Sequence, residues 1–183
     1  MKQLHLGSLA GAKIIVLPVA FLAALLLWIL FSAIAFAALH MSLGLAVIVG
    51  LVAMLLHWLS EVVHHLGHAI AAKRTGYPMQ SIVLGGIQGY LALSSYPADE
   101  PKLPDSLHIR RAVGGPIASL LFTLIFGVCV LLVPKPFWWV AILLFIENLI
   151  FTVQLFIPLG KLLDNDGNTL YRWLRGRGKT EVA

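Results

Sequence analysis

The chain has 183 residues, of which 60% are hydrophobic and only 11% charged. That composition excludes an ordinary water-soluble domain and points to an integral membrane protein. The single cysteine, Cys129, excludes an internal disulfide and any multi-cysteine zinc or iron–sulfur site, and its apolar run makes it a packing residue. A net charge of +5 would suit nucleic acid, but the basic residues flank apolar segments, so membrane topology accounts for them and no nucleic-acid partner is expected.

Crossing a bilayer core takes about 20 apolar residues in a helix. Residues 14–39 supply the first such run after Lys2 and Lys13, with Pro18 near its start, where a missing N–H matters least. The triplet Ala35-Phe36-Ala37 has the small-residue pattern of a signal-peptidase site. The apolar run is longer than the roughly 7–15 residues of a cleaved signal, so a retained anchor is expected. Residues 43–72 form the second span, closed by Lys73-Arg74, Gly76 and Pro78.

Residues 77–108 are the one sizeable non-spanning region. Ile82-Val83-Leu84 and Tyr90-Leu91-Ala92-Leu93 read as two short strands around Gly85-Gly86, a β-hairpin-like element at 82–93, followed by a polar loop at 97–104. The third and fourth spans are read at 109–133 and 137–157, with Phe137-Trp138-Trp139 suited to an interfacial belt. Residues 171–183 form a basic tail suited to the membrane surface and anionic lipid. The expected fold class is an all-α polytopic membrane protein of about four transmembrane helices, forming one membrane-embedded domain. Placing both termini and the 73–111 segment on one side gathers twelve of the thirteen Lys and Arg residues there, leaving Lys135 opposite. The positive-inside rule makes that side cytoplasmic, and a bacterial plasma membrane is the expected location.

Chemistry concentrates where the second span stops being apolar. Glu61, His64, His65 and His68 lie at i, i+3, i+4 and i+7, on one broad face of a helix. Ionisable residues at membrane depth mark a site, and His64 and His68 have the i, i+4 spacing that lets two imidazoles meet one metal ion. A catalytic zinc site needs a further ligand, and Asp164-Asn165-Asp166-Gly167 offers carboxylates on the same side of the membrane. Glu147, Asn148 and Gln154 interrupt the fourth span and are read as interior polar contacts. His40 and His57 are read as hydrogen-bond partners between helices.

The block His64-His65-Leu66-Gly67-His68-Ala69, its Ala-rich continuation to Lys73-Arg74 and Gly76, Gly115-Pro116, and Pro158-Leu159 followed by Asp166-Gly167 together resemble the site-2 protease family. These are intramembrane zinc metalloproteases, also grouped as peptidase family M50, and the resemblance spans residues 43–172. It implies a Zn2+ ion held by His64, His68 and Asp166, with Asp166 preferred to Asp164 because it precedes the glycine. It also implies cleavage of membrane-spanning or membrane-proximal peptide segments, with the 82–93 strands presenting the substrate backbone by edge pairing.

Three positions depart from the family pattern. Ser119 stands where the family often has Asn, and Gln154 lies near the Asn of its Pro block. His65 replaces the motif Glu, the proton acceptor of the central step. Two residues are candidates for that role. Glu61 lies about 60° round the helix from His64 and ~4.5 Å along the axis. His65 itself has an unperturbed pKa of ~6.5. Glu61 also has a structural reading, as an ion-pair partner of Arg110 or Arg111. Without a base, the alternative function is that of a pseudoprotease, which binds membrane segments without cutting them.

Overall fold

The computed structural model describes residues 3–86, 92–135, 137–158 and 165–176. It opens on a hairpin rather than a span: β1 (Leu4–Leu9) and β2 (Ala12–Val16) pair antiparallel. The turn between them uses positive φ at Ala10 and at Gly11. Residues 14–16, expected in the first span, therefore belong to β2. Their alternation explains it, because Ala12, Ile14 and Val16 are buried on one face while Lys13 is exposed. β2 then pairs parallel with β3 (Ser81–Leu84), and β3 pairs antiparallel with β4 (Ala92–Ser95), giving the order β1-β2-β3-β4. The hairpin-like element read at 82–93 is thus half of a four-stranded sheet. Ile87, Tyr90 and Leu91 lie outside the described residues.

Among the described residues, four helices are long and apolar enough to cross a membrane, which makes the chain an integral membrane protein. They are α1 (Pro18–Ala37), α2 (Leu43–Arg74), α3 (Asp105–Leu132) and α4 (Trp138–Val153), the last prolonged by a 3₁₀ turn, Gln154–Phe156. α1 has Pro18 in its first turn, where its missing N–H costs no helical bond. α3 begins four residues before the expected 109, and Asp105 in its first turn complements the helix dipole. Ile117, Leu124, Leu131 and Leu132 are more than half exposed, a surface that only lipid makes favourable. At 32 residues, α2 is ~48 Å long, longer than the ~30 Å hydrocarbon core.

Small residues set the helix crossings. A Cβ on Gly67 would collide with the carbonyl oxygen of Gly114, and one on Gly114 would lie 2.5 Å from that of Gly67. The two backbones therefore touch, as small residues allow in membrane helix pairs. Gly50 takes the same part between α2 and α1, where a Cβ would lie 2.6 Å from Ser32 N. The sheet packs on the end of α2: Ala12, Ile14, Val16, Ile82 and Leu84 share a core with Ala69 and Ala72.

One further helix follows the fourth span. α5 (Asp166–Leu174) occupies ground read only as loop and tail. Asn165 caps it, its side chain accepting from Asn168 N at 3.0 Å. The same Asn165 amide donates to the carbonyls of Ile157 at 2.9 Å and Gln154 at 3.2 Å, which ties α5 to the end of the fourth span.

Candidate metal centre

Two elements bring His64, His68 and Asp166 together. His64 and His68 are buried on one face of α2, and Asp166 is the first residue of α5. Nε2 of His68 lies 3.1 Å from Nε2 of His64. Asp166 spans the pair, with Oδ2 3.3 Å from His64 Nε2 and Oδ1 3.3 Å from His68 Nε2. Ligands ~2.0–2.1 Å from a tetrahedral zinc are about 3.3 Å apart, so the separations match that ion. Asp164 lies outside the described residues.

The outer ring nitrogens are held as metal ligands require. His68 Nδ1–H donates to Arg111 O at 2.7 Å, and Gly115 N lies 3.3 Å from the same nitrogen. His64 Nδ1 is paired with Ser119 Oγ at 2.9 Å, and Thr123 Oγ1 donates in turn to Ser119 O. With Nδ1 protonated on each ring, two Nε2 lone pairs and a carboxylate converge in a buried space. That arrangement is repulsive unless a cation lies among them. Gly115 permits it, because a Cβ there would collide with His68 Nε2 and lie 2.7 Å from His64 Nε2. The donor set, its spacing and this side-chain-free wall all fit a zinc ion.

Glu61 and His65 sit one step aside, facing β4. Glu61 is 3% exposed, and its Oε2 accepts from Ala92 N at 3.0 Å. His65 Nδ1 is paired with Ser94 Oγ at 2.9 Å, and its Nε2 lies 3.9 Å from Glu61 Oε2. The His65 ring centroid is 5.3 Å from that of His64 and 5.7 Å from that of His68. Since Ala92 N–H points at Glu61, this side of β4 faces away from β3 and toward the helix bearing the histidines.

The expected ion pair between Glu61 and Arg110 or Arg111 does not form. Arg111 turns to the 97–104 loop instead, with Nη1 2.9 Å from Glu100 Oε2 and Nη2 2.5 Å from Oε1. It also donates to Tyr77 O at 2.6 Å and stacks over the Tyr96 ring at 4.4 Å. A planar guanidinium serves all three partners at once, which a buried position rewards more than a single carboxylate would. Its bond holds Glu100 below the usual carboxylate range, and burial pushes the Tyr96 hydroxyl up to about 12. His40, read as a partner between helices, is exposed at the α1–α2 connection with φ of 53°. His57 Nδ1 meets Glu147 Oε1, bridging α2 to α4, and Asn148 Nδ2 donates to Ser60 Oγ at 3.0 Å.

Three supporting features escape sequence reasoning. The places of Ser94, on β4, and of the Glu100–Arg111 pair depend on tertiary geometry that no local pattern encodes. The His108–Trp173 stack, with centroids 4.1 Å apart and planes 3° apart, seats α5 against α3. The Asn165 cap was legible in principle, as Asn before Asp-Gly is a helix-start signal.

No protein-family model matches the sequence, and no curated protein matches it. Among solved structures the chain is similar to the Site-2 Protease from Methanocaldococcus jannaschii, with a TM-score of 0.63 and 18% identity. The match covers 96% of this chain and 73% of that one. The fold is therefore that of a site-2 protease. At this identity the likeness concerns the fold, and function has to be argued from the site.

Proposed function

We propose that the protein is a site-2-protease-like intramembrane zinc metalloprotease acting on membrane-spanning or membrane-proximal peptide segments. The observation that carries this reading is the convergence of His64 Nε2, His68 Nε2 and Asp166 on one point at 3.1–3.3 Å. Zinc bound there would supply Lewis-acid polarisation of a peptide carbonyl. The chain's own residues do the rest. Ser119 and the Arg111 carbonyl hold the two imidazoles in the ligating tautomer. The outward side of β4 takes the substrate segment as an added strand, which unwinds it and exposes a peptide bond.

Proton transfer falls to the Glu61–His65 pair. His65 occupies the position next to His64 and lies beside both ligand rings, and Glu61 faces its Nε2. An imidazole oriented by a carboxylate has the geometry to take up a proton and return it to a leaving amine. The charge bias, read with the positive-inside rule, supports a cytoplasmic position for both termini and the β4 side.

A second reading, that of a pseudoprotease, is favoured by one observation. Glu61 and His65 both spend hydrogen-bonding capacity on β4, at Ala92 N and Ser94 Oγ. Such a protein would hold a membrane segment without cutting it. A cleavage assay on purified, zinc-loaded protein with a helical membrane substrate separates the two. Cleavage lost in Glu61→Gln or His65→Ala assigns the base. An inert wild type that becomes active as His65→Glu rejects the protease reading in favour of the pseudoprotease.

A further inference from the structure

The face of α2 that carries His64 and His68 carries a second i, i+4 pair two turns earlier, His57 and Glu61. Seven residues advance a helix by ~700°, so each member of the second pair lies within about 20° of its counterpart and ~10.5 Å along the axis. The upper pair receives a carboxylate from α5. The lower pair receives one from α4, Glu147. One ligand atom each from His57, Glu61 and Glu147 lie within 4.8 Å of one another.

We propose that His57, Glu61 and Glu147 form a second binding site for a divalent transition-metal ion of the zinc type, linking α2 to α4 inside the membrane. Charge is the first argument. When both carboxyl groups are ionised and the imidazole is neutral, the cluster carries −2 among apolar helices, and among the described residues no Lys or Arg forms an ion pair with Glu61 or Glu147. A divalent ion balances both charges, whereas a proton on His57 balances one. The second argument is an oxygen that nothing holds. Glu61 is 3% exposed, its Oε2 is taken by Ala92 N, and Oε1 has no hydrogen-bond partner among the described residues. An orphaned buried carboxylate oxygen is unfavourable, and a cation removes that cost. His57 and Glu147 side chains are 13% and 15% exposed, which leaves an ion a way in.

An imidazole with two carboxylates suits zinc, cobalt or nickel and disfavours magnesium and calcium, which take oxygen ligands. The ~10 Å offset is far beyond the ~3.5–4 Å of a two-metal catalytic centre, so the site is separate from the trio above it.

The test is stoichiometric titration of the full-length protein in detergent with Zn2+, and with Co2+ for its ligand-field spectrum. Two equivalents are expected for the wild type, and one for His57→Ala/Glu147→Gln. The variant His64→Ala/His68→Ala is also expected to keep one, with a spectrum unlike the first. A wild type that binds a single equivalent, lost in His64→Ala/His68→Ala, overturns the proposal and leaves a protonated cluster. A second equivalent that survives His57→Ala/Glu147→Gln overturns it as well. One equivalent that persists without His64 and His68 but needs His57 supports this site and sinks the upper one, so the two readings fail separately. Should His64→Ala/His68→Ala not fold, the loss of one equivalent between the wild type and Glu147→Gln still decides.

Discussion

His64 and His68 ride on a 32-residue helix pressed backbone to backbone against α3, whereas Asp166 begins a nine-residue helix anchored by side chains. On the histidine side the fixed points are Gly67, Gly114, Gly115 and the Arg111 carbonyl, all main chain, with the Ser119 hydroxyl on His64 Nδ1 as the one side-chain anchor. On the aspartate side they are chiefly the Asn165 amide and the stack of Trp173 on His108, beside one close backbone approach, Gly167 to the carbonyls of Gln154 and Ile157. Backbone contacts are set by helix geometry and tolerate no adjustment, while side-chain anchors can be loosened one at a time. The imidazoles are therefore a rigid half-site, and the carboxylate is the half that a mutation can detune by degrees.

Substitutions at the two halves should separate in size. Gly115→Ala drives a methyl into both Nε2 atoms, so zinc binding is expected to fall by at least about 100-fold although every ligand is retained. Metal analysis after gel filtration checks this, and a full equivalent of zinc in the folded variant would break the comparison. Ser119→Ala removes the partner of His64 Nδ1 and should weaken zinc affinity by about 10–100-fold. Competition with a chelator measures it, and Ser119→Asn, which keeps a hydrogen-bonding group, should recover much of the loss. Asn165→Ala is the smallest change. Losing a helix cap costs about 1 kcal/mol, or about fivefold in affinity, because the order of α5 is linked to binding. An effect at Asn165 larger than at Ser119 would invert the assignment of rigid and adjustable halves.

Much of this was legible in the chain, because membrane helices announce themselves through composition and candidate ligands through spacing. The four spans follow from apolar runs, and the i, i+4 pair at 64 and 68 needs only helix geometry. The N-terminal hairpin was hidden because Ile14, Ile15 and Val16 continue smoothly into the apolar run of α1, and a short apolar stretch does not distinguish strand from helix. Its parallel pairing with β3 joins Lys13 to Ser81 across the length of two spans, a contact no local pattern encodes. Arg111, one of two candidate partners for Glu61, pairs elsewhere for a related reason. Glu61 is the more conspicuous carboxylate in the sequence, but the loop folds Glu100 onto the guanidinium and leaves Glu61 to Ala92.

The touching glycines at 67 and 114 bear on how such a sequence can drift. Two facing positions usually exchange volume, one growing as the other shrinks. Here neither has anything to give up, since each is already without a side chain and meets the other's carbonyl. No single or paired enlargement has a compensating partner, so variation has to enter elsewhere. His65 faces the hydroxyl of Ser94 rather than a helix backbone, and there a change of side chain can be met by a change across the gap. The architecture itself separates positions locked by space from positions open to new chemistry.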